Sequence, residues 1–222
     1  MQWSGREQAA AWSVRQRRAA HCDVREHEMA GRLATVVILF ALFIGPATAQ
    51  FFPARTFTHR ADLDDFIIAW YSKNLSAMNE PSLWNARETR SREAYRFVWL
   101  RTFHRPFAFR LELSPDGTGV LTAKSASGSG GYDPGQLVLN KTVQLKATEV
   151  RDFTSRLDKL GFWALPTQDP SASGLDGAQW IFEGIKDGRY HTVDRWTPKS
   201  GSFRELMLRL VTLAGENVEP VY

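Results

Sequence analysis

The sequence predicts an α+β domain, with an antiparallel sheet of about six strands and helices packed mainly on one face. Three observations predict it. Apolar residues recur at every second position through 95–113 and 179–196, the period of half-buried strands. Two turn signals, Ser114-Pro115-Asp116-Gly117 and Asp187-Gly188, join such runs into hairpins. Helical periodicity then closes each half, at 148–160 and 202–214, with a glycine just beyond each.

The elements follow in order. Residues 61–78 place Leu63, Phe66, Ile67, Trp70 and Met78 near one helical face, which predicts a helix packed through that stripe. Asp62, Asp64 and Asp65 fall in its first turn, where the helix dipole favours negative charge, and this accounts for them better than a divalent-cation site does. Pro81 ends the helix, and 82–94 is polar and weakly helical. Tyr95, Phe97, Trp99 and Phe103 then alternate with Arg96, Val98, Leu100 and His104; Phe107, Phe109, Leu111 and Leu113 alternate with Ala108, Arg110 and Glu112. A third strand near Gly119–Lys124 completes a meander. Ser125–Gly135 reads as a flexible Gly/Ser loop without a nucleophile elbow or phosphate loop, and Gln136–Lys146 as a fourth strand. Thr148 is the expected cap of a helix presenting Val150, Phe153, Leu157 and Leu160, with Gly161 past its end. Residues 169–180 resemble a calcium loop until the twelfth position, where the bidentate Glu is replaced by Trp180, so a connector is expected. The last hairpin, Gln179–Lys186 with Arg189–Trp196, leads to a helix capped by Ser202 with Phe203, Leu206, Leu210, Leu213 and Ala214 on one face.

Composition narrows the class. The chain has 222 residues, one cysteine and 43% hydrophobic residues, which excludes a disordered chain, a disulfide framework and a thiolate zinc site. Leu33–Ile44 is twelve residues without charge; Gly45-Pro46 ends it, and Ala47-Thr48-Ala49 supplies a signal-peptidase site before Gln50. Residues 29–49 therefore read as a secretory signal, with an uncleaved anchor as the alternative, and 50–222 as one domain. Residues 1–28 carry Asp23, Glu26 and Glu28 before the apolar run, and read as an extension or an early start. Without residues 1–49 the chain holds 22 basic and 20 acidic residues and no cysteine, too balanced to argue for nucleic acid. A periplasmic or secreted location is expected, with no transmembrane helix after cleavage.

Candidate chemistry concentrates on the last hairpin. A two-residue turn pairs positions whose numbers sum to 375, setting Trp180 opposite Arg195 and Gly184 opposite His191. Trp180, His191 and Arg195, rimmed by Lys186 and Arg189, form a candidate binding platform, with a cation–π pair and open space above Gly184. The plainer account has each aromatic packed on a helix and each charge solvated. The three histidines after residue 50 (59, 104 and 191) fit no metal motif, and no catalytic set, metal site or cofactor is expected. Seven arginines interleave with aromatics between Arg87 and Arg110; they fit either a polyanion surface or a sheet with aromatics inward and arginines outward.

The run LDGAQWIFEG–RYHTVDRWTP, with LDKLGFWALP before it, resembles short exported bacterial proteins of unassigned function over about residues 105–215. That resemblance implies an extracytoplasmic setting and supplies no catalytic residue. A non-catalytic binding or envelope-associated module is the expected function. The alternatives are a small hydrolase with His191 as general base, and an interaction or inhibitor domain docking another protein.

Overall fold

The computed structural model describes residues 50–169, 174 and 176–222. The expected signal, the segment before it and residues 170–173 and 175 of the calcium-like loop lie outside the described residues. The chain builds helix α1 (Ala61–Ala77), a single turn α2 (Leu83–Ala86), strands β1 (Ala94–Arg101), β2 (Phe107–Leu113), β3 (Gly119–Ala126) and β4 (Leu137–Leu145), helix α3 (Ala147–Leu160), strands β5 (Ala178–Lys186) and β6 (Arg189–Trp196), and helix α4 (Ser202–Leu213). The strands form one six-stranded sheet in the order β4-β3-β2-β1-β5-β6, every neighbour antiparallel. The α+β class is as expected. So is the last hairpin's register, Trp180 opposite Arg195 through Lys186 opposite Arg189. Asp187 and Gly188 both take positive φ, 53° and 77°, the paired left-handed geometry that suits the strand twist.

Both sheet faces are covered. On one, α3 and α4 lie over Tyr95, Phe97, Trp99, Phe109, Leu111, Trp180 and Phe182. On the other, α1 and the chain before it contribute Phe51, Phe52, Phe57, Tyr71, Leu75 and Met78, which pack with Val98, Leu100, Ala108 and Ile181. The expectation of helices mainly on one face thus describes α3 and α4, and α1 supplies the second layer. That is why β1 is buried at all eight positions, and why its arginines do not face solvent as expected.

Four local expectations are corrected. Helix α1 docks through Asp64, Tyr71, Asn74 and Leu75, leaving Leu63 and Phe66 exposed. Asp64 is buried because its carboxylate accepts the backbone N–H groups of Arg55, Phe57 and Thr58 at 2.6, 2.8 and 3.0 Å, folding the preceding loop onto the helix. Helix α3 starts one residue before Thr148; Glu149 reaches back to accept the Lys146 N–H at 2.9 Å and caps the turn itself. Ser202 is the first residue of α4, with Gly201 in the cap position at φ 95°.

The Gly/Ser loop after β3 is hydrogen-bonded rather than loose. Ser127, Gly128 and Ser129 pair with Gln136, Pro134 and Asp133, extending the β3–β4 hairpin. The loop then folds back, with Gly130 donating to His104 O and Gly131 to Thr102 O. A Cβ at Gly130 would lie 2.8 Å from Arg101 N, so glycine is required by the close approach of two backbones.

Candidate functional site

The residues singled out on the last hairpin do not form a pocket. Trp180 is fully buried in the α3/α4 core, its ring 4.9 Å from Trp99 and 5.0 Å from Phe97. Arg195 does not stack on it; its guanidinium donates to the carbonyls of Thr167 at 3.0 Å and Pro166 at 2.9 Å and lies over Phe203. The space above Gly184 is filled, since a Cβ there would sit 2.7 Å from Phe162 and 2.9 Å from Tyr95. His191 packs on Phe162 with ring centroids 5.0 Å apart, and its Nε2 lies 3.0 Å from Leu165 O. A carbonyl only accepts, so Nε2 carries a proton and is committed as a donor. Burial lowers the imidazole's pKa, opposed by that carbonyl, with Arg189 and Arg195 lowering it further. Arg189 stacks over Trp163, and Lys186 pairs with Glu93 at 3.2 Å on the surface. The five residues are brought near one another by the hairpin register and then separated by what each one touches.

The opposite face of the same strands holds a charge network. Thr122, Arg110, Arg96, Glu183 and Thr192 occupy consecutive cross-strand positions from β3 to β6. Arg96 and Arg110 stand directly opposite each other, a like-charge pairing that needs an anion between them. Glu80, carried in after α1, supplies it. Its Oε2 lies 3.3 Å from Arg96 and 3.0 Å from Arg110, and its Oε1 is 3.1 Å from Lys124 Nζ. Glu183 takes two further donors from Arg96 at 2.9 and 2.6 Å and one from the Tyr190 hydroxyl at 2.9 Å. Arg110 also pairs with Glu112, which is shared with Arg92. Burial alone would lower the Arg96 guanidinium; the Glu183 and Glu80 carboxylates outweigh it and raise its pKa. Every described cation in this layer is paired, so the network is structural and offers no free charge to a polyanion.

Next to it, buried Asp194 on β6 accepts from Tyr71 Oη at 2.9 Å and Gln179 Nε2 at 2.8 Å, with Gln168 Nε2 at 3.4 Å. Burial pushes Asp194 up to about 6, against these three hydrogen bonds. Burial and the neighbouring Asp194 hold the Tyr71 phenol well above its usual range, so it remains a donor. This cluster ties α1, β5, β6 and the 167–168 segment together, again without a cavity.

The feature that faces solvent lies along α1. Phe66, Ala69, Trp70 and Lys73 share one helical face, and with Gly131 and Tyr132 of the Gly/Ser loop they line a groove of about 420 Å³. Phe66 is 63% exposed and Tyr132 64%. Trp70 is fixed by its indole N–H, which donates to Gly130 O at 2.8 Å and spans helix and loop. Phe103, 55% exposed, stacks on Tyr132 with centroids 6.1 Å apart. Lys73 and Asp133 face each other across the rim at 3.9 Å. Several large rings held on a rigid frame, adjoining and open to water, form the kind of patch that marks an interaction site.

The stripe expected to pack is split: Ile67 and Trp70 lie partly buried against the α1-side core, Leu63 and Phe66 face solvent, and Tyr132 sits in a hydrogen-bonded loop where a flexible one is expected. The signal for the alternative is present: Asp64, Tyr71, Asn74 and Leu75 share an adjacent helical face, and a helix cannot bury both stripes fully against one sheet. Among the described residues no set of His, Cys, Asp or Glu is placed to hold a metal ion, and no helix is long and apolar enough to cross a membrane. No protein-family model matches the chain, and no curated protein sequence matches it either.

Proposed function

We propose that the protein is an exported, non-catalytic binding module, and that its ligand face is the aromatic groove between α1 and the loop after β3. One observation carries the reading: Phe66, Tyr132 and Phe103 stay more than half exposed in one patch, whereas His191, Arg195, Trp180 and the buried charges are all engaged internally. Leaving such rings in water forgoes roughly 1.5–3 kcal/mol for each buried side chain, so their grouping favours a partner that covers them. The signal-like segment at 29–49 and the resemblance to short exported bacterial proteins support an extracytoplasmic setting. The ligand is an envelope component that offers an apolar face, with Lys73 and Asp133 able to take its polar groups at the rim.

A photo-crosslinking amino acid at Ala69, in the protein exported by its own cells, tests the reading. A discrete adduct that disappears when Phe66→Ala and Tyr132→Ala are combined is the expected result. An adduct indifferent to those changes, or none at all, overturns it. N-terminal sequencing of the exported product tests the address separately: Gln50 as the first residue is expected, and retention of 30–49 replaces cleavage with anchoring.

A further inference from the structure

The chain leaves α4 through Gly215, φ 68°, and residues 216–222 run without helix or strand. Strand side chains hold this segment mainly by its main-chain oxygens. The indole N–H groups of Trp99 on β1 and Trp180 on β5 converge on the main-chain oxygen of Tyr222, each at 3.0 Å. Arg101 donates to the carbonyls of Glu219 at 3.1 Å and Pro220 at 3.4 Å. His104 Nδ1 lies 2.5 Å from the Tyr222 hydroxyl, and the two rings meet edge to face. Val218 is buried in the core, while Glu219 and Pro220 face solvent. Both tryptophans are fully buried with the segment in place.

This is how a cleft reads a peptide segment: donors fix backbone oxygens that any chain carries, and a few side-chain positions give selectivity. Here the side chains that pack inward are Val218, Val221 and Tyr222, on either side of the bend at Glu219 and Pro220. The tyrosine end also borders open space, a cavity of about 250 Å³ lined by Phe103, His104, Asp176, Thr197, Lys199 and Tyr222 itself. We infer that the slot formed by Trp99, Trp180, Arg101 and His104 is a peptide-recognition site, held in this structure by the chain's own residues 218–222. The site takes a partner peptide of the same chemistry: bent, apolar at one position, with an apolar residue and a tyrosine three and four residues later. The inference does not rest on the α1 groove.

A tethered segment acts at an effective concentration on the order of mM, so a free peptide competes weakly unless the resident is loosened. The test uses the full chain and a fluorescein-labelled peptide of residues 216–222, with binding followed by anisotropy. Saturable binding at least tenfold tighter to the Tyr222→Ala chain than to the unaltered chain is expected. Replacing the tyrosine in the labelled peptide by alanine should cost tenfold or more. If Tyr222→Ala fails to fold by circular dichroism, Tyr222→Phe keeps the ring, loses the His104 contact and should tighten peptide binding about threefold. Absent binding, or equal binding to altered and unaltered chains, overturns the proposal. A concentration-dependent dimer that the peptide dissolves would make the occupant residues 218–222 of a second copy and overturn the partner reading.

Discussion

The two faces of the sheet solve the same burial problem with opposite chemistry. Over β1 and β5, the α3/α4 face is a run of rings, with Phe97, Trp99 and Trp180 packed at 4.9–5.9 Å and Phe182 against Phe162 at 4.9 Å, and their polar atoms few and satisfied. One residue along the same strands, the α1 face sets Arg96 against Glu183 and brings Glu80 between Arg96 and Arg110. The aromatic face tolerates small errors of position because dispersion and burial are non-directional. The charged face does not, because each ion is stable only while its partners are within hydrogen-bond reach. The first face supplies stabilisation; the second fixes where α1 and the residues after it must sit, and thereby leaves Leu63 and Phe66 in solvent.

The largest effect should come from breaking the charged face. Glu80→Ala leaves Arg96, Arg110 and Lys124 facing one another, and should cost about 3–5 kcal/mol in urea unfolding. Replacing Glu80, Arg96, Arg110 and Glu183 together by apolar residues of similar volume should restore much of that loss, since a matched buried pair contributes little net stability.

The next concerns Asp194. Its folded-state value of about 6 lies above the 3.8 of an unburied aspartate, so the folded chain holds the proton more tightly. Stability from this group is complete below 3.8 and is lost as pH rises through about 6. Unfolding free energy should therefore fall by up to about 3 kcal/mol between pH 4 and 7, and Asp194→Asn should flatten that slope.

On the aromatic face, Gly184→Ala drives a methyl into Phe162 and Tyr95, and should cost about 1–3 kcal/mol by overpacking. A neutral outcome would show that the ring layer yields more readily than the charged layer. Smallest is His191→Ala, about 1 kcal/mol from one lost hydrogen bond to Leu165 O, read as a shift in the urea midpoint.

Much of the sheet was legible because period-two patterns and an Asp-Gly turn act locally. The 179–196 hairpin register followed from the turn alone. What covers each face was not legible, because it depends on residues brought from far away. Val98 and Leu100 hinted that the arginine side of β1 was interior, but Glu80 lies sixteen residues before Arg96 and Glu183 eighty-seven after it. The same limit hid the groove. Phe66 has an ordinary core spacing, and only the docking of Asp64, Tyr71 and Asn74 turns it outward. The register of Trp180 and His191 is legible, but Phe97 and Trp99 close over Trp180, and Phe162 fills the space above Gly184 beside His191.

The strand order has a kinetic meaning as well. Strands β1 to β4 pair with their sequence neighbours, as do β5 and β6, and every one of those ladders closes a short connection. Only β1 with β5 joins distant stretches, Arg101 meeting Ala178 and Ala94 meeting Ile185. Closing that span costs about 2 kcal/mol more chain entropy than closing a ten-residue loop. The meander and the hairpin can each zip early, and the encounter of β1 with β5 sets the pace at which they become one sheet. Both of the buried layers described above, rings on one side and ions on the other, are completed at that single seam.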